Sequence, residues 1–201
     1  MVTIEIGPFV FCAAHMGVHD GRFEALHGHT FTVTLRLAGS LDGAGMLLDF
    51  RAVKTAVAEV IAPLRRRTLI SKHPPGGSCT VEDGQMVAEC GGRRYSLPAA
   101  DVVLLPVANT STEALAEHLL GQILPCVGGT AGVERAELML AEAPDTAAIV
   151  TAAVAHLDTR LGGDRDTGLI VGESRPTCAG GAAGTGSGTG ARGWADTGGG
   201  V

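Results

Sequence analysis

The chain has 201 residues, with 30 Gly, 5 Phe, one Tyr, one Trp and a net charge of −6. This acidic balance, in which Arg65-Arg66-Arg67 is the one basic run, argues against a nucleic-acid surface. The most apolar stretch, residues 146–157, is too short for a membrane-spanning helix, and the N-terminus lacks the basic region of a signal peptide. We therefore expect a cytoplasmic protein that contacts neither nucleic acid nor membrane.

Two segments near the N-terminus predict long strands. Residues 3–15 alternate on either side of Gly7-Pro8, which predicts one strand with a bulge or kink at that pair. Residues 29–37 alternate apolar side chains with mostly Thr, the pattern of a half-buried antiparallel strand. The intervening residues 16–26 are predicted to form a loop.

Two segments have the spacing of amphipathic helices. Asp49 is the predicted N-cap of the first helix, in which apolar residues recur at helical spacing from Val53 to Leu64. The segment from Thr110 to Glu113 matches a capping box and opens the second helix. Pro125 is predicted to end that helix.

The remaining elements complete a mixed fold. Residues 79–98 predict a small hairpin insertion with a turn at Asp83-Gly84, and residues 101–106 predict a short buried strand or extended segment. Residues 134–142 and 147–154 are the predicted closing strands, although the second is Ala-rich and also suits a helix. The element order predicts an α+β fold with the helices on one face of an antiparallel sheet.

Glycine marks the end of the folded region. Ten of the 30 Gly lie in residues 177–201, which show no apolar periodicity and cannot bury enough surface to offset the entropy lost on ordering. We predict one domain over residues 1–160 and an extension over residues 161–201, Gly-rich and disordered from residue 177.

Three histidines form the sharpest chemical feature. Alternate residues of a strand point to one face, so His27 and His29 project together, and Gly28 leaves room for an ion between them. His15 shares the parity of the apolar residues in its own strand, so all three imidazoles are predicted to face the apolar side. Three neutral histidines with an open fourth position are typical of catalytic zinc. The alternative is that the rings are bonded to the backbone in the core or at the surface.

Five short motifs occur in order between residues 9 and 142: FVFCAAH, EALHGHTF, GMLLDF, NTSTE and AE. As a set they resemble the 6-pyruvoyl-tetrahydropterin synthase and 6-carboxytetrahydropterin synthase family over about residues 3–150. The resemblance implies Zn²⁺ bound by His15, His27 and His29. It also implies the tunnelling fold (T-fold), a four-stranded antiparallel sheet with two helices on one face. Several subunits, as a hexamer or similar homo-oligomer, would close their sheets into a barrel with sites at subunit junctions.

The resemblance also implies a pterin triphosphate substrate, since family members act on dihydroneopterin triphosphate. A carboxylate anchors the pyrimidine edge of the ring by accepting two parallel N–H bonds. Glu142 matches this position and shares a strand face with Leu138 and Leu140. Ser111 and Thr112 match hydroxyls that assist ring binding, and both positions also suit helix capping.

Two positions depart from the family pattern. Phe23 stands where many members carry a catalytic Cys, and Glu24 instead gives Glu-x-x-His-Gly-His, which resembles a branch that forms 6-hydroxymethyl-dihydropterin. Glu24 is therefore the candidate base. Arg65-Arg66 replace the usual Asp-His relay and stay protonated at neutral pH, so they either clamp the triphosphate or form a solvated helix end. His73 is a candidate substitute proton donor.

Together with these features, the resemblance implies a zinc-dependent lyase acting on 7,8-dihydroneopterin triphosphate. One alternative is a 6-carboxytetrahydropterin synthase of deazapurine biosynthesis. Another is a non-catalytic pterin-binding subunit that has lost the proton relay, and a third is a structural metal-binding module.

Overall fold

A computed structural model describes residues 1–127 and 132–154. The elements are β1 (Val2–His15), β2 (Val18–His19), β3 (Arg22–Phe23), β4 (His27–Gly39), α1 (Phe50–Ile61), β5 (Thr68–Ser71), β6 (Gly77–Glu82), β7 (Gln85–Cys90), β8 (Arg93–Pro98), β9 (Val102–Leu105), α2 (Thr112–Val127), β10 (Val133–Ala143) and β11 (Thr146–Ala153). The predicted extension and its Gly-rich tail lie outside the described residues.

The main sheet has six strands in the order β11-β10-β4-β1-β5-β9. Its four long strands, β11, β10, β4 and β1, are mutually antiparallel, as predicted. The two short strands β5 and β9 extend the sheet in parallel beyond β1. The sequence pattern does not predict β5, because its four residues are too few to show a period. Residues 146–153 are a strand, which decides between the two alternatives left open for this Ala-rich segment.

The pairing of β1 with β4 sets the geometry of the predicted metal site. The register shifts between Ile6 and Phe9, which confirms the irregularity predicted at Gly7-Pro8. Beyond this bulge Phe11 lies opposite Phe31, and His15 lies opposite His27. The bulge shifts the inward-facing positions of β1 from even-numbered to odd-numbered residues. Phe11 and His15 therefore point to the same side of the sheet as the apolar residues of β4.

Both helices pack on one face of the sheet. Phe31, Val33 and Leu35 of β4 and Leu138 of β10 are fully buried against the apolar faces of α1 and α2. Full burial of each such side chain stabilises the fold by about 1.5–3 kcal/mol. The opposite face of the sheet is polar, and there Arg36 donates hydrogen bonds to carboxylates on both neighbouring strands.

The starts of the two helices follow the predictions to different degrees. Asp49 caps α1, as predicted, by accepting the N–H of Arg51 at 2.8 Å. The capping box predicted at Thr110 is wrong, because the Thr110 hydroxyl donates to the carbonyl of Met16. Ser111 is the cap instead, and its Oγ accepts the N–H of Ala114 at 3.4 Å.

The end of α2 also differs from the prediction. The helix continues two residues past Pro125, to Val127. A proline in the last turn of a helix removes a single intrahelical donor, and few backbone hydrogen bonds of the helix lie beyond it. The cost is therefore small enough for packing of Val127 in the core to override it.

The predicted insertion is a separate three-stranded antiparallel sheet of β6, β7 and β8. Asp83 and Gly84 form the predicted turn, with φ of 49° and 75°. The buried face of β7 joins Met16, Phe23 and Ile70 in a second hydrophobic cluster. The insertion therefore packs on the segment between β1 and β4, in which β2 and β3 form a two-stranded hairpin.

Two further properties of the described residues concern their helices and their cysteines. None of their helices has the length and apolarity needed to cross a membrane. Cys12, Cys79 and Cys90 are free thiols.

Candidate metal and substrate site

Adjacent strand ends bring the three histidines together. His15 is the last residue of β1 and His27 the first of β4, and the two are direct partners across the ladder. His29, two residues along, projects to the same side. One ring nitrogen from each of the three lies within 4.8 Å of those of the other two. The alternation of the strands thus produces the cluster that the sequence predicts.

Hydrogen bonds fix which nitrogen faces the centre of the cluster. His15 Nδ1 lies 2.8 Å from the carbonyl of Thr110, and His27 Nδ1 lies 2.8 Å from that of Ala25. Because a carbonyl oxygen only accepts, each Nδ1 carries the proton, and each Nε2 has a free lone pair. The backbone bonds expected by the alternative interpretation are thus present, and they orient the rings as they do in metal-binding histidines.

Two imidazole nitrogens of the cluster need a partner that the described residues do not supply. His15 Nε2 and His29 Nε2 are buried and accept no hydrogen bond from the described residues. Leaving a buried polar atom unsatisfied costs about 1–3 kcal/mol. A metal ion bound by three imidazole nitrogens would satisfy both atoms, so the donor set fits a tetrahedral ion with one open position.

The electrostatics of the site favour a neutral imidazole at His15. Burial lowers the pKa of His15, and the proximity of His27 and His29 lowers it further, against the opposing effects of the Thr110 carbonyl and Glu142. The ring of Phe31 lies against His15 and His29, with centroids 5.7 and 5.5 Å away. The neutral imidazole is the form that binds metal.

A cavity of about 290 Å³ opens beside the histidines and collects most of the predicted site residues. Six of them line it: His15, Glu24, His27, Ser111, Thr112 and Glu142. His29 lies against the rings of His15 and His27, with centroids 5.1 and 4.9 Å away. These residues come from β1, β4, the segment before β4, the start of α2 and the end of β10.

Glu142 reaches the cavity through an irregularity in β10. The ladder between β10 and β11 pairs Ala141 and Ala143 and passes over Glu142, so the strand bulges at this carboxylate. A bulge changes the direction of a side chain. Glu142 Oε2 accepts the hydroxyl of Thr112, and Oε1 has no hydrogen-bond partner among the described residues. Oε2 is held by this hydrogen bond and keeps capacity for a second one, so both carboxylate oxygens can accept hydrogen bonds from a ligand.

Glu24 lies between β3 and β4 on the cavity wall. Its N–H donates to the carbonyl of Gly17 at 2.9 Å, and its own carbonyl accepts the hydroxyl of Tyr95 at 3.0 Å. The carboxylate lies beside Gly17, where a Cβ would come within 3.1 Å of Glu24 Oε2. Glu24 is exposed in the single chain, so the partial desolvation that would favour a base is not supplied by this chain alone.

The structure does not bring His73 or the arginines into this cavity. His73 is exposed on the loop after β5 and does not line the cavity. Arg66 and Arg67 line a different cavity of about 720 Å³, together with Cys12 and Thr30 on the polar face of the sheet. They form no ion pair within the described residues.

Asn109 has a role that the motif alone does not reveal. Its Oδ1 accepts the N–H of Val18 at 2.8 Å, and its Nδ2 donates to the carbonyl of the same residue at 3.1 Å. It thereby ties the segment between β1 and β4 to the start of α2. An Asn two residues before the helix cap is the available signal, but its partner is 91 residues away.

Relatives of known sequence carry pterin synthase names. A putative 6-carboxy-5,6,7,8-tetrahydropterin synthase of Methanocaldococcus jannaschii is 27% identical over 114 residues, which is 56% of this chain and 70% of the relative. The protein with the same name from Pyrococcus horikoshii is 27% identical over 134 residues, 66% of this chain and 78% of the relative.

This chain is also similar to solved structures of pterin synthases. The 6-pyruvoyltetrahydropterin synthase of Plasmodium vivax matches with a TM-score of 0.70 and 25% identity, over 77% of this chain and 100% of that chain. A variant of it, whose catalytic glutamate is replaced by alanine, matches with a TM-score of 0.69 and 26% identity, over 76% of this chain and 97% of that chain.

The predicted T-fold is confirmed by these similarities together with the four long antiparallel strands and the helix pair on one face. The family model described as 6-pyruvoyl tetrahydropterin synthase matches residues 4–153, a span that contains every residue of the cavity. The chain therefore belongs to the 6-pyruvoyl tetrahydropterin synthase family.

Proposed function

We propose that this protein is a zinc-dependent lyase that acts on 7,8-dihydroneopterin triphosphate and forms 6-hydroxymethyl-dihydropterin. The observation that carries the proposal is the shared cavity, which is lined by two of the three histidines, by Glu24 and by Glu142. A metal-binding cluster, a candidate base and a candidate ring anchor thus face one volume. Family membership supports pterin chemistry in that volume.

The three histidines would hold the zinc ion. Bound there, the ion would supply Lewis-acid chemistry, which increases the acidity of the bonds next to the hydroxyl groups of the substrate side chain. His15 and His27 keep their Nε2 atoms directed to the centre of the cluster because their Nδ1 atoms are held by backbone carbonyls.

Glu142 would anchor the pterin ring. An ionised carboxylate accepts the ring N–H and the exocyclic amine of the pyrimidine edge as a parallel pair. The Thr112 hydroxyl holds Oε2 in place, and Ser111 lies on the cavity wall. Capping of α2 by Ser111 is compatible with this role, because its Oγ keeps capacity for a second hydrogen bond.

Glu24 would act as the base that removes a proton from the substrate side chain. The Plasmodium vivax structure whose catalytic glutamate is replaced by alanine supports a catalytic glutamate within this family. Arginine does not serve as an acid–base residue, and neither Arg65 nor Arg66 lines the cavity. Because His73 lies outside the cavity of its own chain, it can serve as a proton donor only in the site of a neighbouring subunit.

A second candidate function is 6-carboxytetrahydropterin synthase activity. The names of the archaeal relatives favour it. It would use the same metal ligands and the same ring anchor, and it differs in the product formed.

The decisive experiment incubates the zinc-loaded protein with 7,8-dihydroneopterin triphosphate and identifies every pterin product by mass spectrometry. We expect 6-hydroxymethyl-dihydropterin, and we expect Glu24→Ala to lose roughly 10²–10⁴-fold in kcat while keeping its zinc, since general base catalysis contributes about that factor. A 6-carboxy product would establish the second function. Tight pterin binding that Glu142→Ala abolishes, with no turnover in either protein, would instead identify a non-catalytic binding subunit.

A further inference from the structure

We propose that Tyr95, which lies in the insertion sheet β6–β8, is a positioning residue for Glu24. The inference rests on the proposed role of Glu24 as the base. It gives a function to the insertion, which contributes no residue to the wall of the 290 Å³ cavity.

The first step concerns the backbone on either side of Glu24. The Tyr95 hydroxyl donates to the Glu24 carbonyl at 3.0 Å, and the Glu24 N–H donates to the Gly17 carbonyl at 2.9 Å. The peptide groups before and after the Glu24 Cα are therefore both held. Since only φ and ψ of this residue lie between them, the two bonds together fix the direction in which its side chain leaves the chain.

The second step concerns the surface from which Tyr95 acts. Its ring contacts Phe23, the residue before Glu24, with centroids 6.2 Å apart and ring planes at 74°. Phe23 is 1% exposed and packs in the cluster that the buried face of β7 completes. The hydroxyl of Tyr95 is thus held by an anchored ring, and it is not a mobile surface group.

The third step concerns the rest of the segment. Cys90 Sγ donates to the carbonyl of Gly21 at 3.5 Å. Gly91 approaches Arg22 so closely that a Cβ on Gly91 would lie 2.3 Å from the Arg22 Cβ. The insertion therefore contacts residues 21–24 from end to end, and Tyr95 is its contact nearest the carboxylate.

The fourth step concerns the consequence for the base. Within residues 16–26 the regular structure is limited to the two-residue strands β2 and β3, and Glu24 itself is exposed. An exposed loop carboxylate samples several rotamers and backbone states, and a displacement of about 1 Å at a reacting group can cost about 10²-fold in rate. Restraint from outside the segment is what keeps this carboxylate directed into the cavity.

The test compares Tyr95→Phe with the wild type in the full-length, zinc-loaded protein. Phenylalanine keeps the ring on Phe23 and removes the hydroxyl alone, so we expect the folded state and the zinc content to be unchanged. We expect kcat to fall about 10-fold with KM unchanged, and we expect amide hydrogen exchange in residues 22–26 to accelerate. Ser96→Ala is the matched control, because Ser96 lies on the same strand and its hydroxyl bonds to Gln85 and not to Glu24. This variant should change neither kcat nor the amide exchange of residues 22–26.

A double-mutant comparison separates this inference from the proposed function. In a Glu24→Gln background, Tyr95→Phe should cause no further loss of kcat, since the hydroxyl acts through Glu24. Full activity of Glu24→Gln, or a wild type inert toward the substrate, would overturn the role of Glu24 as base. Amide hydrogen exchange at residues 22–26 reports on the restraint of the Glu24 backbone whether or not the protein converts the substrate. Unchanged exchange in Tyr95→Phe, or equal effects of Ser96→Ala, would overturn the inference even if Glu24 proves essential.

Discussion

The buried nitrogens His15 Nε2 and His29 Nε2 make metal binding testable through stability. A ligand that binds only the folded state stabilises it by about 4 kcal/mol when its free concentration is roughly 1,000 times its Kd. Zinc should therefore raise the Tm of the wild type, and a chelator should reverse the shift. In His29→Ala the zinc-dependent shift should be lost, as followed by thermal unfolding and metal analysis. His73→Ala, at an exposed histidine outside the cluster, should keep the shift, and a wild-type Tm that does not respond to zinc would contradict the metal site.

A second residue-scale prediction concerns Gly17. A Cβ at this position would lie 3.1 Å from Glu24 Oε2 and 3.3 Å from Asn109 Oδ1, both tighter than ordinary contacts. We expect Gly17→Ala to displace the Glu24 carboxylate by a few tenths of an ångström and to lower kcat about 10-fold. Gly43→Ala, where a Cβ would meet open space, is the control. Steady-state kinetics of both variants check this, and equal kcat values would contradict it.

At the scale of the element, the start of α1 has a pH dependence whose sign follows from its cap. The Arg51 N–H, assisted by the Arg51 side chain, lowers the pKa of Asp49. The ionised form is thus favoured by folding, and its contribution is present above the unfolded pKa of about 3.9 and lost as pH falls through the folded pKa. Asp49→Ala should unfold at lower urea than the wild type at pH 7, and the difference should shrink below about pH 4.

Asp49→Asn is the matched control for this cap. Asparagine also accepts the N–H of the first turn, so most of the stability should remain at pH 7, without the same loss in acid. A difference between the wild type and Asp49→Ala that stays constant from pH 7 to pH 3 would show that ionisation of Asp49 does not contribute.

At the scale of the whole molecule, the described sheet ends at two edge strands, β9 and β11. An unpaired edge is a template for association, and closure into a barrel removes it. We propose that copies of this chain close their sheets in this way. Ile149 on β11 is 57% exposed, which supports a covered surface on this strand.

Light scattering should therefore give a mass that is a multiple of the 20.4 kDa chain. Ile149→Asp should shift the population to smaller species, because it places a charge on the surface proposed to be covered. Val81→Asp is the control, since Val81 is 52% exposed on the insertion sheet and belongs to neither edge strand of the main sheet. A wild-type mass of one chain, or an unchanged mass for Ile149→Asp, would contradict barrel closure.

The sequence by itself determined the features that depend on a residue's own neighbours. Strand alternation placed His27 and His29 on one face, and helical spacing with the Asp49 cap located α1. The motif set identified the family, because five short segments in a fixed order are a far narrower signal than any one of them. These features could be predicted because each of them is written in a short stretch of neighbouring residues.

Only the tertiary structure decided the features that depend on packing between distant segments. The hydroxyl of Thr110 was diverted to Met16, 94 residues away, so that Ser111 caps α2. Tyr95 meets the carbonyl of Glu24 across 71 residues. The physical reason is that periodicity reports only which face of an element a side chain occupies. The hydrogen bonds of Thr110 and Tyr95 depend on how separate elements pack against one another.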